Sequence, residues 1–295
     1  VIKYGQQING IYAGAGEDMV ENVLREVVSE LSGLPFVEGI VLGGSRATGM
    51  AIESSDIDVG IYYDSHLIDF RQLNLIAKKL DDERRENLIC SEGEWGNWVN
   101  CGGWLTVQGY DVDLILRDIK RVEACVEQTD AGDISMHYQT GHPHAYFNVM
   151  YRGELASSKV LYGNEKLKRL KERAECYPEK LKSALLSFFM FEAKFSCTLA
   201  KNYMNKEDIY YGIGHMFRSV SALNQVIFAL NEIYCLNEKK ALKRITNFPV
   251  SPYNYSERAN QALMLNEENM MEHIEMIEQL CCEAEDLLNQ QIRAY

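Results

Sequence analysis

The chain has 295 residues, 46% hydrophobic and 25% charged, which is the composition of a globular protein with enough apolar material for two domains. Its formal net charge is −13, and that acidic balance argues against a long polynucleotide as the main partner, because capture of a phosphate backbone needs a basic surface. The eight cysteines form no C-x-x-C pair and have no histidine at zinc-ligand spacing, so free thiols in a reducing compartment are expected rather than a disulfide framework or a zinc site.

Val1 to Gly16 contains no basic segment followed by an apolar one, so no signal peptide is expected. From Asp18 to Leu31 the apolar residues Met19, Val23, Leu24, Val27, Val28 and Leu31 recur at helical spacing, with Asp18 as the expected N-cap. Gly33 and Pro35 break that helix, and Val37 to Leu42 reads as a buried strand. A second strand is expected over Asp56 to Tyr62, a helix over Phe70 to Leu80, and a turn leading into strands over Trp95 to Thr106. Tyr110 to Leu116 alternates as a third strand, and Ile119 to Glu127 begins another helix.

From about Glu165 the period changes, and helical patterns run to the C-terminus, interrupted at Tyr177-Pro178, near Asn205 and at Phe248 to Pro252. One helix is predicted to carry the stripe Leu181, Leu185, Phe188, Phe195 and Leu199. Another carries Ile213, Met216, Phe217, Val220, Leu223, Ile227 and Leu230, and a last one runs from Glu257 to about Gln291. An α/β domain over residues 1–155 followed by a helical bundle over 156–295 is the expected organisation. The longest mainly apolar stretch, Leu185 to Phe195, is broken by Ser187, Glu192 and Lys194 and is too short to span a bilayer. No membrane association is therefore expected, and the cytoplasm is the expected location.

The chemistry is concentrated in Gly43-Gly44-Ser45-Arg46-Ala47-Thr48-Gly49 and the following Ser54-Ser55-Asp56-Ile57-Asp58-Val59. Two glycines after a strand let the backbone turn sharply and approach a ligand. Ser45, opening a short helix, offers a hydroxyl beside backbone N–H groups that favour phosphate, and Arg46 adds positive charge. Asp56 and Asp58 lie two apart on a strand, so both carboxylates project from one face, roughly 7 Å apart at the backbone. Two like charges that close need a counter-charge, which a divalent cation supplies. Asp113, on a later strand, completes an acidic triad, with Asp111 on the same face as the reserve.

With ten residues between Ser45 and Asp56, this pattern resembles the DNA polymerase β superfamily of nucleotidyltransferases, whose signature is G-G/S-S followed about ten residues on by D-x-D. The match covers Val37 to Ile119. Within the superfamily it is similar to a group of small bacterial proteins through GGSRATG, SDIDVGIYYD, GGWLTV, VDLILRDIKRV and then Gly141-His142-Pro143. Phe228 to Asn231 and Asn237-Glu238-Lys239 extend that likeness into the second half.

The resemblance implies a nucleotidyltransferase domain with a mixed sheet, followed by an all-α bundle. It also implies NTP use and a divalent metal, Mg²⁺, on Asp56, Asp58 and Asp113, with Gly43, Gly44 and Ser45 on the phosphates. It places the third carboxylate at Asp113 rather than Asp111. The expected reaction moves a nucleoside monophosphate, AMP from ATP, to a hydroxyl acceptor and releases pyrophosphate. Similar two-domain proteins include antibiotic adenylyltransferases and minimal nucleotidyltransferases paired with toxins. A small molecule such as an antibiotic is thus the leading acceptor, and a protein or RNA the next. A nucleotide-sensing or partner-binding module without turnover is the reading from another class.

Other residues have two readings each. His142 and His144 are either imidazoles near the phosphates or surface residues of a turn. Glu192 interrupts an apolar stripe, and its expected place is the solvent edge of the bundle rather than a cleft. Arg218 and Lys239 either touch phosphate or form salt bridges within the bundle. Trp95, Trp98 and Trp104 are expected to pack, with base stacking as the alternative.

Overall fold

The computed structural model describes residues 15–204, 208–264 and 269–294. The reading of Val1 to Gly16 falls largely outside them, as does Asn205. In chain order the elements are α1 (Ala15–Leu31), β1 (Val37–Leu42), α2 (Gly44–Ala47), β2 (Ile57–Tyr63), α3 (Phe70–Leu80), β3 (Cys101–Val107), β4 (Tyr110–Asp118), α4 (Ile119–Ala131), β5 (Met136–His137), β6 (Tyr146–Phe147), α5 (Asn148–Ser157), β7 (Lys159–Gly163), α6 (Glu165–Glu175), α7 (Glu179–Met204), α8 (Ile209–Leu230), α9 (Ala241–Ile245), α10 (Tyr255–Ala262) and α11 (Met270–Ala294). Among the described residues they group into two compact units, one of residues 15–124 and 154–173, the other of 125–153 and the described residues from 174 on.

The first unit is built on a five-stranded mixed sheet in the order β3-β4-β2-β1-β7, with β2 and β4 parallel and the other pairs antiparallel. Strand alternation decides which side is core. Ile57, Val59 and Ile61 of β2 and Val112, Leu114 and Leu116 of β4 are fully buried in one cluster with Val23, Val27 and Leu31 of α1 and Leu73 and Ala77 of α3. Each such valine, isoleucine or leucine side chain contributes about 1.5–3 kcal/mol through removal from water. Residues at the intervening positions therefore face the opposite side of the sheet. Helix α3 occupies the predicted span, started by Asp69, whose side chain accepts from the N–H groups of Arg71 and Gln72. Helix α1 begins at Ala15, so Asp18 lies within it rather than capping it.

The tract expected as a turn leading into strands, Trp95 to Thr106, does run from turns into β3 at Cys101. Gly102 and Gly103 belong to β3, where a Cβ on Gly102 would lie 2.5 Å from the Trp95 ring and one on Gly103 2.5 Å from the Leu88 carbonyl oxygen. These glycines serve close packing on the sheet.

In the second unit α7 pairs with α8, and α11 packs on both. Leu181, Leu185, Phe189, Met216, Val220, Leu223, Ile227, Ile274, Ile277 and Leu280 form its core. The stripe predicted for α7 is correct at Leu181 and Leu185 only. Phe188 and Phe195 are exposed and Leu199 half-buried, while Phe189, Ala193, Ser196 and Ala200 point inward. The helix predicted from Glu257 to Gln291 is two helices, α10 and α11, since α10 stops at Leu263. Helix α7 is also long and apolar enough to cross a membrane, a stretch the apolar run alone undercounts. Half of its most apolar window is buried inside the protein, as expected of a core helix. All eight cysteines are free.

Candidate active site

Beyond the end of β1 the backbone turns at Gly43, whose N–H donates to the Asp58 carbonyl (2.8 Å), and enters α2. Gly44 has φ +59°, a region that side chains disfavour. A Cβ there would also sit 1.7 Å from Asp58 Oδ2. Only glycine lets the Asp58 carboxylate lie against this turn. Ser45 follows as the second residue of α2. The Arg46 guanidinium holds the loop that delivers the first acid, its Nε donating to the carbonyls of Ser55 (3.1 Å) and Asp56 (3.2 Å), with Nη2 also on Ser55.

The register of the sheet places the acids. Asp58 on β2 is paired with Asp113 on β4, and Asp113 with Trp104 on β3. Paired residues share a face, so Asp58, Asp113 and Trp104 form one row, with Gly43 beyond Asp58 at its other end. Continuing the register by one residue sets Asp56 beside Asp111, and Asp111 is paired with Thr106. Four carboxylates thus stand in two adjacent rows on the face opposite the core. Neighbours within a row are about 4.8 Å apart at the backbone, and the rows about 6.7 Å. Asp56 and Asp111 are exposed, and Asp58 and Asp113 half-buried. Asp56, Asp111, Asp113, Trp104, Thr106 and Arg85 line one open cavity of about 310 Å³.

Arg85 and Trp104 are the residues whose place here sequence reasoning missed. Arg85 sits at the cavity by pairing with Asp81, its Nε 3.0 Å from Oδ2 and its Nη2 2.5 Å from Oδ1. Asp81 is fully buried and also accepts from Thr106 N (3.0 Å). The Arg85 guanidinium, helped against the cost of burial by the backbone N–H groups of Thr106 and Arg85, holds the Asp81 carboxyl well below the usual carboxylate range. The i, i+4 spacing of Asp81 and Arg85 was the available signal for the pair, although not for the cavity. Trp104 was expected to pack; it stacks on Trp95 (centroids 4.6 Å apart) yet remains 61% exposed. Trp98 packs under Arg121, 4.3 Å from ring to guanidinium.

His142, His144, Glu192, Arg218 and Lys239 all lie in the second unit. Neither histidine is on the surface. His144 Nε2 lies 3.2 Å from Glu192 Oε1, and His142 Nδ1 3.2 Å from Glu238 Oε2, with all four side chains largely buried. Glu192, expected at the solvent edge, is only 8% exposed, and Arg218 Nε reaches its Oε1 at 2.5 Å. Burial works against the Glu192 charge, but His144 and Arg218 outweigh it and keep its carboxyl below the ordinary value. Lys239 donates its backbone N–H to Asn237 Oδ1 (2.7 Å).

Among the described residues no group of three or more His, Cys, Asp or Glu side chains closes around a single metal position. The donor set on the sheet nevertheless suits a hard divalent cation, since it is entirely carboxylate oxygen gathered on one face.

Residues 21–127 match the family model of the nucleotidyltransferase domain. No curated protein matches the chain. Among solved structures, a nucleotidyltransferase-like protein from Exiguobacterium sibiricum 255-15 is similar at 11% identity and a TM-score of 0.46, over 92% of this chain and 76% of that one. The CdnC:HORMA-deltaN complex of E. coli MS115-1 aligns at 12% identity and a TM-score of 0.23, over 88% of this chain and 89% of that one.

Proposed function

We propose, from the match of residues 21–127 to the family model of the nucleotidyltransferase domain, that the protein transfers AMP from ATP to the hydroxyl of a small-molecule acceptor. The observation that carries this reading is the pairing of Asp58 with Asp113, beside the turn at Gly43 and Gly44. Gly43, Gly44 and Ser45 receive the triphosphate, and Arg46 contributes from Nη1, which takes no part in its clamp on the Ser55 and Asp56 carbonyls. Asp56, Asp58 and Asp113 would hold Mg²⁺. When bound, the metal neutralises charge on the triphosphate and on the attacking oxygen. Asp113 takes the proton from the acceptor hydroxyl. That oxygen bonds to the α-phosphorus, the bond from the α-phosphorus to the bridging oxygen breaks, and pyrophosphate leaves with the electron pair. The free thiols suit a reducing compartment, and we place the reaction in the cytoplasm.

Transfer of label from α-³²P-ATP, with release of pyrophosphate, is the test. Asp113→Asn should lose transfer by at least about 10²-fold, the scale of general-base catalysis. Transfer by Asp113→Asn at the wild-type rate would remove Asp113 from this role.

A further inference from the structure

We infer that Trp104 and Arg85 form the acceptor subsite, and that the acceptor is a small molecule bearing a flat aromatic ring and an anionic group, as a mononucleotide does. This rests on the reading of the acidic row as a nucleotidyltransferase site. The row has a direction. It runs from the turn at Gly43 through Asp58 and Asp113 to Trp104, across three strand spacings, roughly 14 Å. The triphosphate lies at the glycine end and the attacking hydroxyl at Asp113. What meets Trp104, on the far side of Asp113, is therefore the molecule that carries the hydroxyl.

Trp104 is built as a platform. Gly102, two residues earlier on the same strand face, leaves the space that the Trp95 ring fills. Trp95 stacks on Trp104 from one side. Trp104 nonetheless keeps 61% of its surface exposed and lines the cavity that holds Asp113. A large exposed indole braced by a second indole, directly beside a carboxylate, is what stacking on a ligand ring requires.

Arg85 supplies the second element of recognition. Its guanidinium is fixed by two bonds to a fully buried carboxylate, Asp81, which also holds the backbone of the cavity residue Thr106, and the exposed Glu83 carboxylate lies 3.8 Å from the Arg85 Nε. A pre-set guanidinium suits a phosphate or carboxylate, because little side-chain freedom is lost on binding. Ring plus anion, both on the acceptor side, describes a nucleotide better than a polycationic aminocyclitol. The net charge of −13 favours a free mononucleotide over the end of a long RNA.

The transfer step is the one above, with the hydroxyl on the ring-bearing molecule. Calorimetry with AMP on the full chain tests the subsite directly. Trp104→Ala should weaken AMP binding at least about tenfold, the worth of one base stack, while Trp104→Phe restores most of it. Arg85→Ala should weaken AMP by a similar factor and leave adenosine unchanged, which separates loss of the anion contact from loss of fold. AMP binding that is absent, or indifferent to Trp104→Ala, overturns the inference. With α-³²P-ATP as donor, label on AMP supports it, whereas label only on streptomycin or only on a 20-nucleotide RNA overturns it. Mg-ATP binding by the wild type, measured separately, shows whether the underlying site reading stands when the subsite fails.

Discussion

Gly44 carries two constraints in one residue, a positive φ and the Asp58 carboxylate against its Cα. Gly44→Ala should therefore displace Asp58, cost about 1–2 kcal/mol in a urea titration and abolish Mg-dependent ATP binding in calorimetry; unchanged binding would detach the turn from the acid. Asp81→Ala strands the Arg85 guanidinium and the Thr106 N–H, and should destabilise by about 2–3 kcal/mol. Because the folded carboxyl of Asp81 is held below its unfolded value, that stability is present above about pH 4 and is lost as pH falls further. The wild type should thus lose more stability than Asp81→Ala on acidification below pH 4, and parallel pH curves would contradict this. At this scale the sequence was informative where chemistry is local. Asp56, just before β2, and Asp58 on it are two apart, and the glycine turn lies a short way upstream in the chain. It was silent on Trp104 and Arg85, whose meeting with Asp113 depends on the β3–β4 register and on a buried carboxylate.

Among elements, β4 is set by alternation alone. Val112, Leu114 and Leu116 face the core, while Asp111 and Asp113 face the cavity. Leu114→Ala should cost about 2–5 kcal/mol in chemical denaturation, and a cost under 1 kcal/mol would contradict the assigned core face. Strand positions were legible for this reason, since a period of two assigns faces without knowledge of the neighbours. Helix α7 was harder. Its phenylalanines suggest a stripe, but packing against α8 and α11 selects Phe189 and the small residues Ala193, Ser196 and Ala200, and tolerates Glu192 inside because Arg218 pairs with it and the His144 ring lies within hydrogen-bond reach. Removal of that charge, as in Glu192→Ala, should cost about 3 kcal/mol by leaving its partners uncompensated, measured by urea unfolding.

For the whole chain, the net charge of −13 opposes compaction and is relieved by screening ions. The thermal midpoint should rise when monovalent salt goes from about 10 to about 200 mM, below the range where specific salting-out acts. The change of period near Glu165 suggests two parts divided at residue 155, whereas the two compact units are discontinuous in sequence. That residues 125–153 group with the C-terminal helices, and that β7 returns to the sheet after them, was not readable. Strand partners so far apart in sequence leave no local signal.

The central claim is that carboxylates on the free face of the sheet bind an NTP through a divalent metal. Calorimetry of ATP binding, with and without Mg²⁺, on the wild type and on Asp56→Ala/Asp58→Ala, tests it most directly. Binding by the wild type only with Mg²⁺, and by the double variant in neither condition, is the predicted result. Equal binding without metal, or binding that survives in the double variant, would contradict it.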